Sequence, residues 1–178
     1  SDQCSEIYIE EISKYTDNPN ALRNAYIDVI QDRSKENISR FFDTHFDRKP
    51  EATEQTRTLR LLEMQRHALL MFTSCAWFFD EVSRIETVQV LQYADRAIQL
   101  LENVSGYTVL GGFLERLSHA ESNLPEYTNA ADIYKKLISP QRLTLTKVGM
   151  HYSVNTLFDD REESLSVLNY DTVSKDFH

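Results

Sequence analysis

Residues 59–84 read LRLLEMQRHALLMFTSCAWFFDEVSR, with no glycine or proline to interrupt them. At about 100° per residue, Leu61, Leu62, Met64, Ala68, Leu69, Met71, Phe72, Cys75, Ala76, Phe78, Phe79 and Val82 fill one broad arc. An arc that wide predicts one long helix, from Thr53 to about Val82, packed on several sides at the centre of a bundle. Gln65 is its main polar interruption. The opposite stripe carries Glu63, Arg66, His67, Leu70, Thr73, Ser74, Trp77, Asp80, Glu81 and Arg84. Trp77, the one tryptophan of the chain, therefore reads as part of the polar stripe, whereas Phe78 and Phe79 read as core.

The rest of the chain fits a mainly α fold. Four glycines and four prolines in 178 residues leave few breaks, which favours long helices over many-turned β structure. Ile7, Ile9, Ile12 and Tyr15 mark a first short helix within 5–16. Asn18-Pro19 reads as a helix cap and first position, followed by Leu22, Tyr26, Val29 and Ile30 at helical spacing. Ser34 opens a third helix with Ile38, Phe41 and Phe42, and 45–52 is a linker. Ser83 and Glu86 have the spacing of a capping box, so another helix is expected over about 85–104. There Val88, Leu91, Ile98 and Leu101 face inward, while Gln89, Gln92, Arg96, Gln99 and Asn103 face water.

Ser105-Gly106 ends that helix, and the next covers about 108–122, with Gly111-Gly112 marking close packing or a late start. A helix follows Pro125 to Ile138, and Ser139-Pro140 opens one to about Phe158. The alternation around Leu165 and Val167 is strand-like. A lone strand is unstable, so a partner from another chain or from beyond residue 178 is expected. The expected organisation is a helical bundle over residues 1–160 and a strand-like tail over 161–178, the start of a β-rich region.

Charge limits the function classes. Asp and Glu total 28 against 19 Lys and Arg, a net charge of −9. Nucleic acid and anionic membranes both call for basic surface, so neither is an expected partner. No apolar run has the length of a membrane span. The two cysteines, Cys4 and Cys75, match no metal or redox spacing and suggest a reducing, cytoplasmic setting. Asn37-Ile-Ser39 and Asn103-Val-Ser105 fit the glycosylation pattern, which has meaning only for a secreted chain. The first residues, Ser-Asp-Gln-Cys, and the last, Lys-Asp-Phe-His, suggest an excised segment of a longer protein.

The stripe around Trp77 supports two readings. In one it faces water or a neighbouring loop. In the other it lines a cleft, where an indole face meets sugar C–H groups and flanking charges grip hydroxyls. Glu63 and His67, at i and i+4, could share a metal ion, but no third ligand is evident and a salt bridge explains the pair. Asp80 and Glu81 as a general acid and base would point about 100° apart on a helix, an awkward arrangement for flanking one bond. Ser74 or Cys75 as nucleophile lacks the turn that such residues need. His151-Tyr152 is a further local concentration of polar and aromatic character, read as a hydrogen-bonded buried histidine.

Residues 59–102, LRLLEMQRHALLMFTSCAWFFDEVSRIETVQVLQYADRAIQLLE, with 18–42 and 147–160, resemble a catalogued bacterial family. That family is domain of unknown function 3536, the C-terminal helical domain of proteins related to glycoside hydrolase family 57. The resemblance implies an N-terminal barrel bearing two catalytic carboxylates, which cleaves or transfers α-glucosidic bonds with retention. A helical bundle would pack beside its cleft, and a β-rich region would follow. It also implies a Ser-Asp-Trp-Phe-type motif on the substrate side of the bundle. Trp77-Phe78 align with its aromatic pair, and Ala76 stands where the motif has aspartate. No catalytic residue and no cofactor is implied for this chain. The expected α-glucan-facing set is Trp77 with Arg66, His67, Asp80, Glu81 and Arg84, and the expected partner is the barrel of the same full-length chain. The alternative is a purely structural or protein-interaction module, with the stripe docked on the barrel or on a second subunit and Trp77 as an interface anchor.

Overall fold

The structure, a computed structural model, describes residues 1–142, 146, 147, 149, 150, 153, 164–167 and 170–173; the side chains of Trp77 and of 164–167 and 170–173 are outside that description. The chain is mainly helical and divides into two compact units, Ser1–Ile138 and Ser139–His178. The boundary expected after residue 160 and the pair His151-Tyr152 fall outside the described residues.

The first unit begins with α1 (Asp2–Ile12), α2 (Pro19–Gln31) and α3 (Lys35–His45). Their starts follow local chemistry. The Asn18 side chain accepts the Ala21 N–H at 3.0 Å, with Pro19 in the first turn, and Ser34 Oγ accepts the Asn37 N–H. Asn37 itself is buried, and its Nδ2 donates to the carbonyls of Asp28 and Asp32 at 3.0 and 2.7 Å. It therefore caps the end of α2 and holds α3 against it, a use that excludes a glycan on that nitrogen.

α4 (Ala52–Leu70) and α5 (Ile85–Ser105) are the two long helices, and their mutual packing is the most extensive in the unit. Arg60 donates to Asn103 at 2.9 Å, and the His67 ring lies 6.0 Å from Tyr93, so the helices run antiparallel. Leu61, Leu62, Met64 and Ala68 are buried as the periodicity predicts, against Ala97, Leu100, Leu101 and Val104 and the inner faces of α1 to α3. Gln65 lies in this core, and its Nε2 donates to the Cys4 carbonyl at 2.7 Å, which ties α4 to α1. The polar interruption of the apolar arc is thus a satisfied buried amide.

The long helix predicted to reach Val82 is a correction. α4 stops at Leu70, the Thr73 hydroxyl donates back to the Leu70 carbonyl, and tight i to i−3 bonds close the last turn. A short 3₁₀ turn (Ser74–Trp77) follows, then irregular chain to Ile85. Thr73, by β-branching, and Thr73 and Ser74, by hydroxyl competition for backbone groups, disfavour helix. The bundle accordingly has two long helices rather than one central one.

The consequences are direct. Phe78 is 82% and Phe79 38% exposed, Cys75 is exposed, and neither phenylalanine is core. The capping box expected from Ser83 and Glu86 is absent as well: Arg84 caps α5 without a side-chain bond. Glu86 leaves one buried oxygen without a hydrogen-bond partner among the described residues, 3.8 Å from Arg84 Nε.

Gly106 ends α5 at φ 74°, the left-handed conformation that favours glycine. α6 (Leu110–Leu117) starts after that turn, so Gly111 and Gly112 mark a late start and not close packing, with open space where a Cβ would stand. α7 (Ala130–Ile133) continues into a wider π turn (Tyr134–Ile138), and Ser139–Gln141 form a 3₁₀ turn. Tyr134, Ile138 and Leu91 make a second small core beneath α6. In it the Tyr134 hydroxyl donates to the buried Asp95 carboxylate, which also accepts from Gln99 at 2.6 Å.

In the second unit β1 (Ser164–Val167) and β2 (Tyr170–Val173) pair antiparallel, with Ser164 opposite Val173 and Val167 opposite Tyr170. The lone C-terminal strand awaiting an outside partner is therefore not supported, because the open backbone groups of 164–167 pair within the chain.

Thr58 offers a test of the core. Its hydroxyl is buried in α4 with no hydrogen-bond partner among the described residues. Replacing an unsatisfied hydroxyl by a methyl of the same shape removes a desolvation cost, so Thr58→Val should stabilise the protein by about 1 kcal/mol. The urea midpoint should rise at unchanged slope; a fall in the midpoint would show that the hydroxyl is satisfied.

Candidate functional site

The segment 71–84 joins α4 to α5 and carries the exposed aromatic residues. Phe78 and Phe79 meet edge to face, with ring centroids 5.1 Å apart and planes at 80°. The Arg84 guanidinium lies 4.3 Å from the centre of the Phe79 ring, a cation–π contact that fixes one side of the pair. Phe78 stands free above them. The backbone of Trp77 closes the 3₁₀ turn just before this pair.

Glu81 holds the segment in place. One carboxylate oxygen accepts the Ser83 N–H at 2.9 Å and the Ser122 hydroxyl at 2.7 Å. The other accepts the Asn123 N–H at 2.6 Å. The Asn123 side chain donates in turn to the Asp80 carbonyl at 2.8 Å. Burial pushes the Glu81 carboxyl up, but the bonds from Ser122, Asn123 and Ser83 more than offset it and bring it down to about 2. A carboxylate so saturated keeps its charge at neutral pH and has no proton to exchange there. The Asp80 carboxylate is on an exposed residue beside it.

Arg66 and His67 belong to a different group, on α4. The Glu63 carboxylate accepts from the Tyr26 hydroxyl and from Arg33, both at 2.7 Å, and from Arg66 at 3.0 Å. His67 Nε2 is 3.5 Å from it, and His67 Nδ1 is buried without a hydrogen-bond partner among the described residues. Burial lowers the His67 pKa, the Glu63 charge opposes that, and Arg66 and Arg96 add to it, so the neutral imidazole is favoured. For Glu63, burial is outweighed by the bonds from Tyr26, Arg33 and Arg66, and its pKa falls.

The six residues expected to face a glycan thus fall into two sets. Arg66 and His67 sit with Glu63 in the α2–α4 network. Asp80, Glu81 and Arg84 sit in the loop with the backbone of Trp77. Among the described residues no hydrogen bond or ion pair joins the sets, because the helix that would have aligned them ends at Leu70. Phe78, Ser122 and Asn123 were not legible as site residues. The helical wheel places the phenylalanine on an arc that the broken helix does not continue. Ser122 and Asn123 lie 41 and 42 positions from Glu81, beyond any local pattern.

No group of three His, Cys, Asp or Glu side chains among the described residues could hold a metal ion. No helix of the described residues is long and apolar enough to cross a membrane. A cavity of about 530 Å³ beside α1, α5 and α6 is lined largely by apolar side chains such as Ala97, Leu101 and Phe113, and none of the six residues borders it.

Fold and loop together define a mainly helical domain with an anchored, solvent-exposed aromatic loop between its two longest helices. Over residues 1–178 the chain matches the family described as Domain of unknown function (DUF3536), and it belongs to that family. No match is found among curated proteins or among solved structures.

The Glu81 anchor has a testable pH signature. Its folded pKa lies below the unfolded value of 4.5, so its stabilisation is full above about pH 4.5 and lost as pH falls toward about 2. Glu81→Gln should lower stability at pH 7 and flatten the acid loss across that window, read as urea midpoints in a pH series. An acid slope identical to wild type would show that Glu81 is not the anchor.

Proposed function

We propose that this chain is the C-terminal helical domain of a larger glycoside hydrolase family 57-like protein acting on α-glucans. It is non-catalytic alone, and its loop 71–84 lines the carbohydrate cleft of an N-terminal barrel in the same full-length chain. The observation that carries the reading is Phe78: a ring 82% exposed, beside Phe79, on a loop held by a buried carboxylate. Held aromatic faces suit the apolar faces of glucose units, and exposed Asp80 and Arg84 beside them suit hydroxyls. Trp77 is included in the reading only through the resemblance of Trp77-Phe78 to the substrate-side motif. Glu81 acts as the support of the face and not as a glycan contact, because its oxygens already accept three donors from the protein. Arg66 and His67 have no part in it. Both cysteines are free thiols, which suits a cytoplasmic setting.

The alternative is a structural or protein-interaction module with no carbohydrate role. It is favoured by the exposure of Leu69 and Phe72, which no glycan contact accounts for.

Two checks separate the readings. The coding sequence upstream of Ser1 should encode a barrel with two carboxylates; its absence ends the enzyme reading. On the full-length protein, Phe78→Ala and Trp77→Ala should each weaken maltoheptaose binding by calorimetry about 5- to 30-fold, the equivalent of roughly 1–2 kcal/mol. The melting temperature should stay unchanged. Unaltered binding with a lowered melting temperature would make the loop a packing element.

A further inference from the structure

Between α2 and the last turn of α4 runs a groove of about 370 Å³ that the proposed glucan face does not use. Its lips are apolar and open to water: Ile27 is 50%, Leu69 62% and Phe72 57% exposed, with Ile30 between them. Apolar side chains gathered on one face in this way mark contact surface more often than isolated exposed residues do.

The charge of the groove is opposite to that of the chain. The chain carries −9, yet no Asp or Glu lines the groove, whereas Arg23 and Arg66 do. Arg66 shares the Glu63 carboxylate with Arg33, so two guanidinium groups lean on one negative charge. Arg23 makes no hydrogen bond or ion pair with any described residue.

We propose that this groove docks an acidic amphipathic helix of a partner protein. Its apolar side chains would seat between Ile27, Ile30, Leu69 and Phe72, and its carboxylates would meet Arg23 and Arg66. Helix-in-groove recognition needs this combination of apolar floor and complementary charge at the rim. The chain's own net charge works against the other occupants. A second copy would bring −9 against −9. An anionic membrane surface would repel the chain as a whole while meeting few arginines. The inference does not depend on the glucan reading, since Arg23, Ile27, Ile30, Arg66 and Leu69 lie outside the loop 71–84, and Phe72, at its first turn, is not among the residues assigned to the glucan face.

The test uses the full-length protein carrying this chain and two fluorescein-labelled model helices of about 18 residues, one of leucine and glutamate and one of leucine and lysine, in polarisation titrations. The Leu/Glu helix should bind and weaken with added salt, and the Leu/Lys helix should not bind at this groove. Arg23→Glu should weaken the Leu/Glu helix about tenfold or more. Leu69→Ser, at an exposed position, should do so with the fold intact, and Arg23→Gln serves should the charge reversal impair folding. Binding of neither helix, equal binding of both, or indifference to these variants overturns the proposal. So does a concentration-dependent dimer in sedimentation that Leu69→Ser abolishes, since the occupant would then be a second copy.

Discussion

The carboxylate of Glu81 is the constraint on which the arrangement of the upper half of the bundle rests. Three donors reach it from two loops, and one of those loops lies about forty residues further along the chain. A charge so far withdrawn from water is tolerated only when its lone pairs are met, and here they are. Meeting them requires the chain to leave α4 after Leu70, pass the short turn at 74–77 and come down beside Ser122-Asn123 before α5 begins. Had α4 continued to Val82, Glu81 would lie on a helix face, and the Ser122-Asn123 loop would lose the bonds that join it to the segment before α5.

The same economy recurs elsewhere in the interior. Gln65 faces the core of α4 and bonds the Cys4 carbonyl, Asn37 bonds two carbonyls at the end of α2, and Asp95 receives Tyr134 across the second small core. Gln65 and Asp95 join elements distant in sequence and Asn37 joins two consecutive helices, in each case where apolar packing alone is less specific about register. An apolar replacement at any of them would strand the partner group, so these residues select one arrangement of helices among several that could bury similar area.

What was legible beforehand was local. Asn18-Pro19, Ser34 and Ser105-Gly106 are read from their own few residues, and the helix ends lie there because caps act over three or four positions. The buried face of α4 was legible up to Ala68 for the same reason, since periodicity reports a face wherever the helix exists. The break at Leu70 was not. No glycine or proline announces it; it depends on the Thr73 hydroxyl turning back to the Leu70 carbonyl and on a carboxylate bonded by residues far along the chain. From that one misplaced end followed the inward placing of Phe78 and Phe79, the joining of Arg66 and His67 to the loop residues, and the capping box at Ser83. The family membership that the resemblance implies holds over the whole chain, whereas a single helical wheel does not describe residues beyond Leu70.

The break also changes what the aromatic residues cost. Full burial of a phenylalanine stabilises a fold by roughly 1.5–3 kcal/mol relative to exposure. Phe78 forgoes most of that, and Phe72 and Leu69 forgo much of theirs. A continuous α4 would have recovered part of it, because the apolar arc would have met a neighbour along its whole length. The chain instead spends buried hydrogen bonds on Glu81 to keep the loop out and its rings apart from the core. Stability is thereby carried by the lower bundle, where Tyr8, Leu61, Leu62, Met64 and Phe42 are fully enclosed. Apart from the contacts of Phe79 with Phe78 and Arg84, the exposed surface of these rings and lips packs on little among the described residues, so their exposure withholds free energy that the lower bundle must supply.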